Sequence, residues 1–323
     1  MKRTLLGAAS AIVIGHSMFA GTYAQAQAYP NRPIRWVLGF PASGASDIVA
    51  RFLGVKMSEA LKQQFVIDNR PGASGIIANT LVAKAPPDGY TILLVSSTYA
   101  NLITLHKALP YDPGELAPVS LIASASNILS THPSLPVSSV KDLIALAKKR
   151  PGEINYGTGG TGTGQHLATE LFRLMTGINI THIPYKGAPP AVNDLIAGRV
   201  QMMFALSPVS MPHIKAGKLR ALAMSGSKRL AELPAVPTVG ETVDGYEATT
   251  WFGVLVPRGT PRTIVDTLNR EIARVLAMPD VAERLAALGF QTQTSTPEAC
   301  KKYIESETVK WARVIKEAGI QTD

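Results

Sequence analysis

Short apolar runs alternate along this chain with segments of helical period. Ile34-Arg35-Trp36-Val37 predicts a strand, and Asp47 to Leu61 predicts a helix with Ile48, Phe52, Val55 and Leu61 near one face. Phe65-Val66-Ile67 predicts a second strand. The turn residues Asn69-Arg70-Pro71-Gly72 lead into a helix through Ala85, which Pro86-Pro87-Asp88-Gly89 stops. Thr91 to Val95 reads as a buried strand. The middle of the chain repeats the alternation. Helices are predicted over Val140 to Lys149, Gly164 to Met175 and Ala191 to Ala197, with strands at Ile154-Asn155-Tyr156, Ile180 to Ile183, Val200 to Phe204 and Leu219 to Met224. A strand at Phe252 to Val256 follows, then helices over 261–277, 279–288 and 297–318. Strands alternating with helices indicate an α/β fold with mostly parallel sheets covered on both faces.

Two apolar stretches, Leu116 to His132 and Thr249 to Val256, are long enough to cross between two lobes and back. The length of 323 residues also suits about two domains at roughly 150 residues each. The expected division is a discontinuous first lobe, residues 29–127 and 246–323, and an inserted second lobe, residues 128–245. Residues 1–28 read as a leader: Lys2-Arg3, an apolar stretch from Leu5 to Ala20, then the small-x-small pattern Ala26-Gln27-Ala28. Cleavage after Ala28 would release a mature chain into the periplasm, and the lack of a cysteine there disfavours a lipid anchor.

Composition narrows the function classes. With 46% hydrophobic and 17% charged residues the chain is too apolar for disorder and can bury full cores. A single cysteine, Cys300, excludes a disulfide framework and a cysteine-based zinc site; in its predicted helix it reads as a packed small residue. Loss of Lys2 and Arg3 with the leader lowers the net charge from +9 to +7. The remaining Lys and Arg are scattered, with no run beyond Lys148-Lys149-Arg150, so nucleic acid is not an expected partner. A mildly basic surface favours anions at long range.

The candidate chemistry lies in two loops of small residues, each after a strand and before a helix. They are Phe40-Pro41-Ala42-Ser43-Gly44-Ala45-Ser46-Asp47 and the run from Tyr156-Gly157-Thr158-Gly159-Gly160 through Thr163-Gly164-Gln165-His166. Small residues let a ligand approach the backbone. The helix start adds unpaired N–H donors and a positive dipole end, which can bind an anion without Lys or Arg. Hydrogen bonds to a charged acceptor contribute roughly 1.5–3 kcal/mol each, more than the ~0.3–1 kcal/mol of the dipole. Two such loops, one per lobe, would hold one carboxylate between them. Gly157, Gly159 and Gly162 also spell G-x-G-x-x-G, but the acidic residue that a dinucleotide site needs about 20 positions on is missing from Thr181-His182-Ile183-Pro184-Tyr185-Lys186. Asp47 reads either as a helix cap or as a ligand contact. His166, facing a helix N-terminus, would stay neutral and bond a ligand or the backbone. No acidic or His neighbour supports a metal site or a triad around it, and Lys186 reads as a solvated side chain rather than a nucleophile.

At these loops the chain resembles the extracytoplasmic substrate-binding proteins of tripartite tricarboxylate transporters, the Bug family. Matching segments are Tyr29-Pro30-Asn31-Arg32-Pro33-Ile34, Phe40-Pro41 through Asp47, Asp68-Asn69-Arg70-Pro71-Gly72-Ala73, and Pro87-Asp88-Gly89-Tyr90-Thr91. They continue with Tyr156 to Gly160 and His166, His182-Ile183-Pro184-Tyr185-Lys186-Gly187, Ala216 to Ala223, Leu233 to Thr238 and Trp251-Phe252-Gly253. The resemblance implies two α/β lobes closing as a flytrap on a small di- or tricarboxylate or a related, including aromatic, acid. It places the carboxylate clamp on Ser43, Gly44, Ala45 and Asp47 from one lobe and Thr158, Gly159, Thr163 and His166 from the other. Phe40, Thr98, Tyr99 and Ala205 would line the variable wall. Two departures stand out. The family often has Pro-Gly-Gly at Ala42-Ser43-Gly44, and often carries acidic residues near the strand Val200 to Phe204, where this chain has Gln201 and Ala205. Lacking that carboxylate, the wall would favour an acidic or apolar far group over an amino group.

The expected function is therefore capture of a small carboxylate in the periplasm for the separate membrane subunits of such a transporter. The receptor is expected to be monomeric, without cofactor, metal or catalysis. The alternatives are an exported hydrolase using Ser43 or His166, which lacks a visible base–nucleophile–orienter set, and a ligand-sensing partner of a membrane sensor.

Overall fold

The computed structural model describes residues 29–321. The expected leader, residues 1–28, lies outside the described residues. The chain opens with β1 (Ile34–Leu38), α1 (Ala45–Leu61), β2 (Phe65–Asn69), α2 (Ile76–Ala83), β3 (Thr91–Ser96) and α3 (Thr98–Leu105). A long strand, β4 (Leu116–Thr131), leads to α4 (Val140–Lys149), β5 (Asn155–Thr158), α5 (Gly164–Thr176), β6 (Thr181–Pro184) and α6 (Ala188–Ile196). Then come β7 (Met202–Leu206), α7 (Ser207–Lys215), β8 (Arg220–Met224) and the second long strand, β9 (Thr249–Pro257). The chain closes with α8 (Arg262–Leu276), α9 (Pro279–Ala287), β10 (Gln291–Thr292) and α10 (Pro297–Ala318). No helix among the described residues is long and apolar enough to cross a membrane.

The strands join in the order β2-β1-β3-β9-β4-β7-β5-β6, with β8 and β10 also pairing β4. This is the expected α/β architecture, but parallel pairing is confined to its arms: β1 with β2 and β3, and β5 with β6 and β7. Between them β4 and β9 run antiparallel to each other and to their outer neighbours. β4 changes partners partway along. Its residues Leu116 to Ser126 pair β9, and Asn127 to Thr131 pair β7 and β8.

Both faces of the sheet are covered, which is why these strands read as unbroken apolar runs. Side chains alternate between faces. Ile34, Trp36 and Leu38 of β1 join a core under α1 and α8, whereas Val37 joins a separate core with α2 and α3. In β9, Phe252, Val254 and Val256 face the first core, and Trp251 and Leu255 the second. A third core fills the β5–β6 arm around Tyr156, Phe172 and Phe204. Helix α10 spans two of these cores: Cys300 and Ile304 pack with α3, and Trp311, Val314 and Ile315 pack with the β5–β6 arm. Cys300 is fully buried, and burial pushes its thiol up to about 11, so it is a packing residue.

Helices α3 and α7 are absent from the sequence-based expectation. The first, Thr-Tyr-Ala-Asn-Leu-Ile-Thr-Leu, is rich in β-favouring residues. The second contains Pro208 and Pro212. Pro208 sits in the first turn, where its missing N–H costs nothing.

Candidate functional site

The loops after β1, β3, β5 and β7 open at the carboxyl ends of the parallel strands, where open α/β sheets form ligand crevices. There they enclose a cleft holding about 450 Å³ of empty space, its open mouth included. One side is built from Phe40, Pro41 and the first residues of α1, with Ser96 and Thr98 beside them. Across from these lie Gly159, Thr163, Gly164, Gln165, Ala188 and Pro189, while Leu206, Thr250 and Phe252 complete the wall. None of these residues carries a formal charge.

The cleft's polar character comes from helix starts. Gly44 caps α1 without any side-chain bond to the helix, and the first intrahelical bond there is Ile48 N–H to Gly44 O at 3.0 Å. The amides of Ala45 and Ser46 therefore lie at the cleft as open donors. At α5, Thr163 Oγ1 accepts the His166 amide at 3.3 Å, and the first intrahelical bond is Leu167 N–H to Thr163 O. The amides of Gly164 and Gln165 remain. Gln165 adds more: its Oε1 accepts the Gly159 amide at 2.9 Å, which fixes the carboxamide so that its NH₂ is a donor in the cleft wall.

Of the twelve expected site residues, Phe40, Gly44, Ala45, Thr98, Gly159 and Thr163 line the cleft. The structure does not bring the other six to the wall. Ser43 is exposed at the loop tip with φ of 64°, a left-handed conformation suited to glycine, and its amide donates to Asp47 at 2.9 Å. Asp47 is buried and caps that turn. Burial alone would raise its pKa, but hydrogen bonds from Arg51, the Ser43 amide and Asn69 outweigh this and hold it below the ordinary carboxylate value. Tyr99 packs in the core under α3 and donates to Pro113 O at 3.2 Å. Ala205 is fully buried one residue before the wall, in the core under α1 and α8. Gln201 also lies elsewhere, accepting the Asn155 amide and donating to Gly198 O.

Thr158 and His166 act beneath the second loop instead of inside the cleft. Thr158 Oγ1 lies 2.7 Å from His182 Nε2 and accepts the Gly160 amide at 3.2 Å. His166 Nδ1 accepts the Gly162 amide at 3.1 Å, and its ring stacks on His182 at 4.0 Å between centroids. Tyr156 stacks on His182 in turn and donates to Glu170 at 2.5 Å, while Glu170 pairs with Arg173. Burial, with Arg173 nearby, pushes His166 down to about 4. Burial and then His166 push His182 down to about 3. Two neutral imidazoles thus prop the loop from below.

The two sides of the cleft also touch directly. Ser74 Oγ donates to Thr161 O at 2.8 Å, and Asn101 Nδ2 donates to Gly162 O at 2.9 Å. Gly162 has φ of 78°, and a Cβ there would lie 2.3 Å from Leu105 Cδ1. Gly162→Ala is accordingly expected to destabilise the fold by roughly 2–3 kcal/mol, from overpacking and a disfavoured φ, measured by urea denaturation; a loss below 0.5 kcal/mol would contradict this contact.

The wall residues missed by sequence reasoning are mainly Ser46, Ser96, Gly164, Gln165, Leu206, Thr250 and Phe252. The N-terminal amide argument itself reaches Gly164 and Gln165, which are the first two residues of α5. The sequence marks Thr250 and Phe252 only as part of a crossing stretch and, for Phe252, of a matching segment; their place in the wall depends on how β9 threads the sheet.

A family model described as Tripartite tricarboxylate transporter family receptor matches residues 49–320. Protein BugT of Bordetella pertussis (strain Tohama I) is 41% identical over 300 residues, covering 91% of each chain. Among solved structures, Rpa4515 of R. palustris with adipate is 41% identical at a TM-score of 0.89, covering 91% of this chain and 99% of that one. MatC from Rhodopseudomonas palustris with bound malate is 28% identical at a TM-score of 0.83, covering 89% of this chain and all of that one, 100%.

Proposed function

This chain belongs to the tripartite tricarboxylate transporter receptor family, and from that premise we propose that it captures a small carboxylate in the periplasm for a membrane transporter. Its class is that of solute-binding receptors, not enzymes. One observation carries the carboxylate reading: an uncharged cleft stands between the uncapped start of α1 and the start of α5. With no cationic side chain in the wall, main-chain amides and the Gln165 carboxamide are the available donors, and such donors suit an anion at a helix start. The adipate and malate complexes of similar proteins agree with this chemistry. Phe40, Leu206 and Phe252 supply an apolar wall for the carbon skeleton. With no carboxylate in the wall either, an amino group would find no counter-charge.

The two lobes proposed are residues 29–127 with 246–323, and 128–245. The change of β4 partners between Ser126 and Asn127 supports a hinge there. A ligand touching both sides favours the closed state by its added contacts. The hydrolase alternative is weakened by the placement of its two candidates: Ser43 lies outside the wall, and His166 Nδ1 is occupied by Gly162.

The test is titration calorimetry of the purified protein against mono- and dicarboxylates and amino acids, with product formation followed in parallel. One-to-one saturable binding of a carboxylate without turnover is expected. Steady product formation, or an amino acid binding more tightly than every dicarboxylate, would overturn the reading.

A further inference from the structure

The two sides of the cleft meet along a seam at the start of α5. Ser74 Oγ bonds Thr161 O across it, and Asn101 Nδ2 bonds Gly162 O. Pro41 packs on Gly187 and Leu105 on Gly162. These contacts favour the closed form whether or not a ligand is held. Against them stand three buried polar atoms, Ser97 Oγ, Asn101 Oδ1 and Thr250 Oγ1, which have no hydrogen-bond partner among the described residues. Eight buried side-chain atoms there share that condition, and these three lie together on the one seam.

Two of the three face the first residue of α5. A Cβ at Gly164 would lie 2.7 Å from Ser97 Oγ and 2.8 Å from Thr250 Oγ1, so only a glycine lets the helix settle on both hydroxyls. What covers them is a Cα–H surface, a weak substitute for a hydrogen bond to water. Ser97 stands at the cap of α3, yet its hydroxyl makes no cap bond. Its amide donates to Trp251 O at 3.0 Å, so Ser97 and Thr250 sit on joined segments of one lobe and meet α5 together.

We propose that Ser97 and Thr250 form a brake on closure. The proposal rests on the two-lobe reading above. With the lobes apart, water bonds both hydroxyls; with the lobes together, both are stranded under Gly164, and a buried hydroxyl without a bond is costly. That cost offsets part of the binding free energy of any ligand that closes the cleft. It keeps the empty receptor open and speeds release of what it holds.

The experiment compares the wild-type chain with Ser97→Ala, Thr250→Val and Thr250→Ser. Small-angle scattering without ligand reads the brake directly. The wild type should be more extended than the closed structure, Ser97→Ala and Thr250→Val more compact than the wild type, and Thr250→Ser unchanged. Calorimetry and stopped-flow with straight-chain mono- and dicarboxylates of four to eight carbons read its effect on binding. Ser97→Ala and Thr250→Val should each bind about threefold to tenfold more tightly, through slower dissociation, as removal of one stranded hydroxyl implies. Thr250→Ser keeps the hydroxyl and should match the wild type. An empty wild type already as compact as the closed structure, or unchanged affinity in both hydroxyl-free variants, would overturn the proposal. So would weaker binding in Thr250→Val, which would make that hydroxyl a ligand contact. A wild type that binds none of these acids would sink the carboxylate reading instead, and the scattering comparison would still decide the brake.

Discussion

Replacing Gln165 with glutamate should abolish carboxylate binding while leaving the fold almost untouched. The side chain keeps its shape, and a carboxylate oxygen can still accept the Gly159 amide that Gln165 Oε1 now accepts at 2.9 Å. What changes is the other end: the NH₂ donor in the cleft wall becomes a negative oxygen facing the site proposed for an acid group. Two like charges about 4 Å apart at an effective dielectric near 20 repel by roughly 4 kcal/mol. Partial protonation and solvent relieve some of that, so a loss of two to three orders of magnitude in affinity is expected. Calorimetry gives the affinity, and a thermal melt of the free protein shows whether the fold survived. Affinity within tenfold of wild type, with an unchanged melt, would place the acid group away from α5.

The second large effect is on stability against acid. In the unfolded chain both His166 and His182 take up protons near pH 6.5. In the fold His166 does so only near 4 and His182 near 3. Between these values the unfolded state binds more protons, so stability is fully present above about pH 6.5 and falls as the pH drops towards 4. Each histidine removes up to ~1.4 kcal/mol per pH unit over that window, a combined loss of several kcal/mol. The groups facing the pair are Arg173, which opposes protonation of His166, and Glu170, which favours it at His182; each ring also faces the other. Protonation would further turn His166 Nδ1 from acceptor to donor against the Gly162 amide, breaking the prop under the loop. Denaturant titrations at pH 7 and pH 4.5 on the wild type and on His182→Gln report this contribution, because the carboxylates other than Glu170, which faces His182, titrate alike in both. The variant should lose less stability between the two pH values; identical losses would contradict the argument.

Much of the fold was legible because local patterns coincide with their tertiary surroundings. The helix Val140–Lys149 matches the expected span residue for residue: Ser139 caps it, and its apolar face is distinct from its charged one. The strands of both arms were legible as apolar runs for a different reason, burial on both faces. The start of α1 was placed two residues late. Asp47 resembles a cap, but here its carboxylate bonds backward to Ser43 while Gly44 takes the cap position.

The candidate site divides along the same line. The chain's own chemistry determined that two small-residue loops precede helices, and so that unpaired amides would be presented without charged side chains. That follows from local geometry, since an N–H without a partner four residues back is fixed by where a helix begins. Only the tertiary structure decided which residues meet. His166 and Thr158 had the right chemistry for a ligand contact, yet stacking on His182 and packing beneath the loop turned them inward. Leu206, at the turn from β7 into α7, reaches the wall, and the fully buried Ala205 does not. Thr250 and Phe252 arrive from a strand more than eighty residues beyond the second loop, by a pairing with β4 that no local pattern encodes. Contacts between segments so distant in sequence are decided by packing across the whole sheet, and the cleft is made of them.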